Sequence, residues 1–261
     1  MTAPALWIAK TGLDAQQTRM SLIAQNLANV NTTGYKKERG LFADLMYQNV
    51  RQVGAPATQT TTLPSGLQMG TGVRVVATEK IHTQGNIVQT NNSLDMSING
   101  KGFFQILMPD GQINYTRDGT FKLTADGQVV TNEGNPLQPN ITVPANAVAI
   151  SVGSDGTFSV TDDTGATTDL GQINLVSFVN PTGLEPVGNN LFRETVASGA
   201  PNIGIAGQDS LGTLTQGSLE TSNVNAVEEM VSMIETQRAY EMNTKAISTT
   251  DQMLSFVNQN L

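Results

Sequence analysis

The sequence predicts an α+β protein, with long N- and C-terminal α-helices forming a coiled coil and flanking a mainly antiparallel β domain. Three patterns predict it. Apolar residues recur with heptad spacing at both ends, the apolar period falls to two between them, and Asp-Gly pairs punctuate that interior.

From Pro4 to about Asn31, Leu6, Leu13, Met20 and Leu27 lie seven residues apart. Ala9, Ile23 and Val30 sit three further on, and Gln16 is the one polar break. This is an a/d seam held for nearly four heptads. Pro4 suits a first helical turn, and Asn29-Val30-Asn31-Thr32-Thr33-Gly34 supplies the stop and loop signals. Residues 35–72 read as a connecting region. Within it, Tyr47 to Gly72 is irregular and rich in Thr, Gln, Gly and Pro, which marks a long extension and not a compact domain.

Residues 73–221 read as the β domain. Ile113 with Tyr115, Phe121 with Leu123, and Phe158 with Val160 alternate as half-buried strands do. Phe103 to Leu107 and Ile173 to Val179 are continuous enough for more deeply buried strands. Asp110-Gly111, Asp118-Gly119, Asp126-Gly127 and Asp155-Gly156 are hairpin-turn signals.

The last segment repeats the helical device. Met233, Tyr240, Ile247, Leu254 and Leu261 are spaced by seven, with Ala239, Ala246 and Met253 on the same face. Ser222-Asn223 offers an N-cap, and Glu228 and Glu229 favour a helix start through its dipole. Residues 1–34 and 222–261 are therefore expected to form one discontinuous helical domain of rods roughly 40–50 Å long.

The two ends carry opposite charge. Residues 1–40 hold Lys10, Arg19, Lys36, Lys37 and Arg39 against Asp14 and Glu38, and residues 225–261 hold five acidic side chains against Arg238 and Lys245. Two readings follow: the helices pair with each other and with neighbouring copies, or they lie on a globular core. A stripe reaching Leu261 favours the first, because a chain end without partners frays. The candidate assembly residues are Leu6, Leu13, Met20, Ile23 and Leu27 with Met233, Tyr240, Ile247, Leu254 and Leu261.

Composition narrows the function. Charged residues make up 14% of the chain, against about 25% in a typical soluble domain. The resulting neutral polar surface suits packing on many neighbours better than steering charged ligands. A net charge of -8 argues against a nucleic-acid partner. The absence of cysteine excludes disulfides and thiolate metal sites. Lys36, Lys37 and Arg39, interrupted by Glu38, read as a solvated loop. Met1 to Ala9 lacks a positive n-region and its apolar run ends at Lys10, so no cleaved signal is expected. No stretch is long and apolar enough for a membrane span.

Nor does the sequence assemble a catalytic, cofactor-binding or metal site. His82, in Glu79-Lys80-Ile81-His82-Thr83, reads as a surface strand residue, since one His without Cys does not make a typical zinc site. Gly100-Lys101-Gly102-Phe103 lacks the glycine spacing of a phosphate loop and reads as a tight bend before a buried strand. The Asp-Gly carboxylates are accounted for by turn chemistry, which leaves no acid–base pair for glycoside hydrolysis. Asp162-Asp163-Thr164-Gly165 departs from the calcium-loop pattern. The chain is expected not to be an enzyme. A β-rich secreted binding module stays open as a different class, although aromatics are only 5% of the residues.

Several segments carry a resemblance. Asn26-Leu27-Ala28-Asn29-Val30-Asn31-Thr32-Thr33-Gly34-Tyr35-Lys36 ends the first helical pattern. Gln237-Arg238-Ala239-Tyr240-Glu241-Met242-Asn243-Thr244-Lys245 and Asp251-Gln252-Met253-Leu254 lie in the second. With Ile98-Asn99-Gly100-Lys101-Gly102-Phe103-Phe104 and Tyr115-Thr116-Arg117-Asp118-Gly119, they resemble the bacterial flagellar rod and hook family over nearly the whole chain. Asn26, Asn29, Asn31, Gly34, Tyr35, Gln237, Arg238 and Tyr240 match its terminal motifs. Tyr47 to Pro64, including Arg51 and Leu63, is similar to the insertion that marks the distal rod and accompanies a straight, rigid tube.

The resemblance implies a structural subunit that stacks helically with its own copies into a hollow tube, transmits torque and passes exported subunits. A hook or proximal rod role is the alternative within the family. Implied neighbours are proximal rod proteins below, hook protein above, the surrounding P and L ring proteins, the flagellar export apparatus and a rod-assembly cap. The implied location is the flagellar basal body, in the periplasm and through the outer envelope, reached without a cleaved signal peptide.

Overall fold

The first heptad pattern forms helix α1, Pro4–Ala28, and the last forms helix α2, Ala226–Gln259. The computed structural model describes residues 4–52 and 65–259. Helix α1 stops at Ala28, so Val30 falls in the following turn and not in the seam; the Thr32 amide donates to the Asn29 carbonyl at 3.2 Å there. Helix α2 is capped by Asn225 and not by Ser222-Asn223. The Asn225 Oδ1 accepts the Val227 amide at 3.1 Å, and its carbonyl accepts the Glu229 amide at 3.0 Å. Asn223 is occupied elsewhere: its Oδ1 accepts the Lys37 amide, and its Nδ2 donates to the Ile81 carbonyl. The expected acidic first turn, Glu228 and Glu229, is present.

Between the helices the described residues form strands joined by turns and irregular segments, with one 3-10 turn among them at Pro181–Gly183. Every strand pair with a described register is antiparallel. Two compact units result. The first comprises Met1–Ala28, Glu38–Glu79 and Asn225–Leu261; the second comprises Asn29–Lys37 and Lys80–Val224.

In the first unit α1 and α2 pack antiparallel. Asn26 lies against Glu229, and a Cβ placed on Gly12 would sit 3.2 Å from Asn243 Nδ2. The connecting region adds extended structure. Strand Glu38–Asp44 pairs with Val73–Lys80, and Gln48–Arg51 pairs with Leu67–Met69.

The second unit holds the core. A five-stranded sheet runs in the order Leu137–Gln138, Phe104–Leu107, Ile113–Thr116, Leu191–Arg193, Glu185–Gly188. A three-stranded sheet is formed by Ala147–Val152, Thr157–Asp162 and Thr167–Gln172. Phe104, Phe121, Phe158, Met96, Ile98 and Leu175 anchor one buried cluster, and Phe103, Tyr115, Phe178 and Phe192 a second, aromatic one. Each such side chain contributes about 1.5–3 kcal/mol by leaving water.

Three of the four Asp-Gly pairs make the expected turns, with Gly111, Gly127 and Gly156 at positive φ. Asp118-Gly119 does not. Gly119 is needed for close approach, since a Cβ there would lie 1.5 Å from the Met96 carbonyl oxygen. Asp118 bonds instead to the amide and hydroxyl of Thr120 and to the Thr33 hydroxyl. The alternation also fails at strand ends: Ile113 and Leu123 are exposed while Tyr115 and Phe121 are buried. Phe158 and Val160 are both buried, as predicted, and Gly100 to Gly102 bends before the buried Phe104–Leu107 strand.

Candidate assembly surfaces

The antiparallel helix pair sorts its residues onto two faces. On α1, Ile23 and Ala15 are buried and Leu6, Leu13, Met20 and Leu27 half-buried. On α2, Met233 and Ile247 are half-buried, whereas Tyr240 and Leu254 are exposed. Leu261 lies outside the described residues. The deepest positions of α2 are polar: Glu229 and Thr236 are buried, and Asn243 and Thr250, seven and fourteen residues beyond Thr236, are half-buried. Gln16, the break noted in the α1 seam, has a buried Oε1 with no hydrogen-bond partner. This line of polar groups explains why the helices pack while so few of their apolar side chains are fully covered.

Asn26 shows what the first motif residue does. Its Oδ1 accepts the Glu38 amide at 2.9 Å and its Nδ2 donates to the Glu38 carbonyl at 2.9 Å, so the side chain imitates a strand partner for Glu38. Its Nδ2 also donates to Glu229 at 3.4 Å. Gln237 and Arg238 are exposed on α2.

The helices and the connecting region also display apolar side chains to solvent. Val227, Met230, Val231, Ile234, Met242, Met253 and Phe256 are exposed on α2, and Trp7 and Ile8 on α1. In and just before the strand pair Gln48–Arg51 and Leu67–Met69, Met46, Tyr47, Val50 and Leu67 are exposed, and so is Arg51. Leu63 and Pro64 lie outside the described residues, as does the rest of the 53–64 stretch.

The remaining motif residues serve the second unit. Asn29 Oδ1 accepts the Thr32 hydroxyl, and Asn31 is exposed. Gly34 adopts φ +69°, in the region that favours glycine, and a Cβ there would be 2.7 Å from the Asp118 amide nitrogen. Tyr35 is buried under the Lys80 ammonium, 4.8 Å from its ring centroid. Lys36 departs from the solvated loop expected of it and is only 1% exposed.

The Lys36 Nζ lies 2.5 Å from Glu220 Oε1 and donates to the Thr83 carbonyl at 2.8 Å. Arg117 joins the same carboxylate through Nη1 at 3.2 Å and donates through Nη2 to the Gly100 carbonyl at 2.6 Å. Two cations thus share one buried anion, with backbone carbonyls taking the place of water. Burial pushes both the Lys36 and the Arg117 pKa down, against the pull of Glu220.

His82 belongs to this neighbourhood and is not a surface strand residue. It is half-buried between the rings of Phe103 and Phe192, at centroid distances of 5.6 and 5.4 Å. Burial first, then the charges of Lys36, Arg117 and Lys80, lower its pKa to about 4. Its Nδ1 is buried without a partner. The neutral imidazole is a packing element here, wedged among aromatics beside two cations.

Sequence periodicity missed Lys36, Arg117 and Glu220 as a set. Lys36 and Arg117 stood inside conspicuous motifs, but Glu220 is 184 residues from Lys36, and no spacing rule links them.

The chain matches known proteins along its length. Residues 6–36 match the family described as Flagella basal body rod protein, and residues 97–160 match the Flagellar hook protein FlgE/F/G D1 domain. Residues 215–260 match the Flagellar basal body rod FlgEFG protein C-terminal family. Three relatives are each called flagellar basal-body rod protein FlgG. That of Buchnera aphidicola (subsp. Acyrthosiphon pisum) is 56% identical over 258 residues, 98% of this chain and 99% of its own. That of Borreliella burgdorferi is 48% identical over 97% of each chain, and that of Bacillus subtilis 38% over 96% of each.

Proposed function

The chain belongs to the flagellar basal-body rod protein family, and from that premise we propose that it is a structural subunit of the distal rod, assembling helically into a rigid hollow drive shaft. That shaft transmits torque and passes exported subunits.

The observation that carries this reading is the uneven distribution of apolar surface. The unit built on α1 and α2 buries only Ala15 and Ile23 among its described apolar residues, yet holds most of the large apolar side chains left exposed. An apolar surface of that extent calls for a protein partner. In a polymer of identical chains the nearest supply is the same surface on the next copy.

In the tube, Leu6, Leu13, Met20, Ile23 and Leu27 meet Met233, Tyr240, Ile247, Leu254 and Leu261 in coiled-coil-like packing. The 47–64 stretch, with Tyr47, Arg51, Leu63 and Pro64, reaches a neighbouring copy and resists sliding. The rod sits in the basal body, crossing the periplasm toward the outer envelope, with proximal rod proteins below, hook protein above and the P and L ring proteins around it. Delivery runs through the flagellar export apparatus to a rod-assembly cap, without a cleaved signal peptide. The role is mechanical and not enzymatic.

Electron microscopy of polymers grown from the purified chain tests this. Straight hollow tubes are expected from the full chain, and curved or flexible ones after in-frame deletion of residues 53–64. A correctly folded chain that stays monomeric at every concentration would sink the assembly reading. Deletion tubes as straight as the parent would sink the assignment of rigidity to that stretch.

A further inference from the structure

We propose that the outward face of α2 receives the outward face of α1 from a second copy of this chain, with the two copies offset by one helical turn along the helix axes. This rests on the polymer reading and specifies its contact. Ala15 and Ile23 are buried, and Leu13, Met20, Met233 and Ile247 half-buried, on the sides the two helices turn toward each other, which leaves the opposite faces for the contact between copies.

Those faces are well defined. On α2, Val227, Val231, Ile234, Arg238, Glu241 and Lys245 recur at spacings of four and three and are all exposed. At about 100° per residue they lie opposite the buried Glu229 and Thr236. Met230 flanks the row, and the four apolar side chains Val227, Met230, Val231 and Ile234 are between 47% and 65% exposed. On α1, Lys10, Asp14, Gln17, Ser21, Ala24 and Ala28 recur with the same spacing, also all exposed. They lie opposite Ala15, Ile23 and Asn26. One row is apolar at one end and charged at the other; the second is small at the corresponding end and charged at the other.

Register decides how they fit. The Gly12–Asn243 and Asn26–Glu229 neighbours fix a single antiparallel alignment within the pair. In it Lys10 is level with Lys245, and Asp14 with Glu241. Copies related by rotation about and translation along one axis keep α1 of one antiparallel to α2 of the next. With no translation, the two rows would set lysine against lysine and carboxylate against carboxylate, a costly juxtaposition. A shift of one turn, about 5.4 Å, sets Glu241 against Lys10 and Arg238 against Asp14. The same shift lays Val231 on Ser21 and Val227 on Ala24, where small side chains let the helices approach closely. None of these five charges has an ion-pair partner among the described residues; Lys10 lies 5.7 Å from the Trp7 ring centroid.

Charge reversal in the full chain tests the register, read as the critical concentration for polymerisation by sedimentation and electron microscopy. Asp14→Arg and Arg238→Asp should each raise it on the order of tenfold or more, and the double variant should return it to within about threefold of the parent. Lys10→Glu with Glu241→Lys should behave the same way. Lys245→Glu alone should leave it within about twofold. If Asp14→Arg is rescued by Lys245→Asp and not by Arg238→Asp, the copies are shifted the opposite way and the proposal falls. It also falls if the single reversals polymerise like the parent, and then the polymer reading survives. If the parent itself never polymerises, the polymer reading fails first.

Discussion

In the unit made of Asn29–Lys37 and Lys80–Val224 even a lysine is buried, whereas in the unit built on two helices Val227 and Phe256 remain about two-thirds exposed. The β-rich unit builds its own core, with two apolar clusters, an ion knot solvated by carbonyls, and turns set by Asp-Gly pairs, although Val179 and Val196 stay exposed on it. The helical unit carries rows of apolar side chains and a seam interrupted by Gln16, Glu229 and Thr236. The first resembles a finished part and the second an unfinished joint. Substitutions in the two should therefore separate into those that cost folding and those that cost assembly.

The largest effect is expected at the ion knot. Glu220→Gln leaves the Lys36 and Arg117 cations buried without an anion and should destabilise the chain by about 3–5 kcal/mol. Guanidinium denaturation of the purified chain would show it, and a loss below 1 kcal/mol would mean that water or a shifted side chain replaces the carboxylate. A smaller effect follows at His82. Its folded pKa of about 4 lies below the ordinary value of 6.5, so between those values the unfolded chain binds the extra proton. Its contribution is complete above pH 6.5 and is lost as the pH falls toward 4. His82→Gln should make the stability difference between pH 7 and pH 4.5 smaller than in the parent; equal differences would show that other groups carry the acid limb. The smallest effect on folding is expected in the joint. Ile234→Ser removes a half-exposed side chain and should change stability by no more than about 0.5 kcal/mol while weakening polymerisation severalfold. A large stability loss there would mean that the outward face of α2 is covered within the chain.

How much was legible in the sequence follows the same division. Local periodicity placed both helices, the buried Phe104–Leu107 strand and three of the Asp-Gly turns, because a repeat of seven or two is written in neighbouring residues. It misplaced the α2 cap, since Ser222, Asn223 and Asn225 are all capable acceptors and only tertiary bonds decide which is free to cap. It read Asp118-Gly119 as a turn because dipeptide chemistry cannot see the Met96 carbonyl pressing on Gly119. It set Lys36 in solvent because its anion lies at the far end of the β unit. At the candidate surfaces, heptad spacing picked out Ile23, which is buried, but on α2 it chose Tyr240 and Leu254, which are exposed, while the inward positions are the polar Glu229 and Thr236. It also overlooked the second row on α2, whose Val227, Val231 and Ile234 give way to Arg238, Glu241 and Lys245 after two turns.

The Lys36–Glu220 pair has a consequence for timing. It ties the start of the β unit to its last strand across 184 residues, so a chain emerging from either end carries one half of the pair long before the other. Until the second half arrives, burying the first would leave a charge without its counterion, so Lys36 and the His82, Phe103 and Phe192 rings beside it have no reason to close over early. Contacts of such long range are slow to form, and the β unit is therefore expected to lock late, after nearly the whole chain is free to fold.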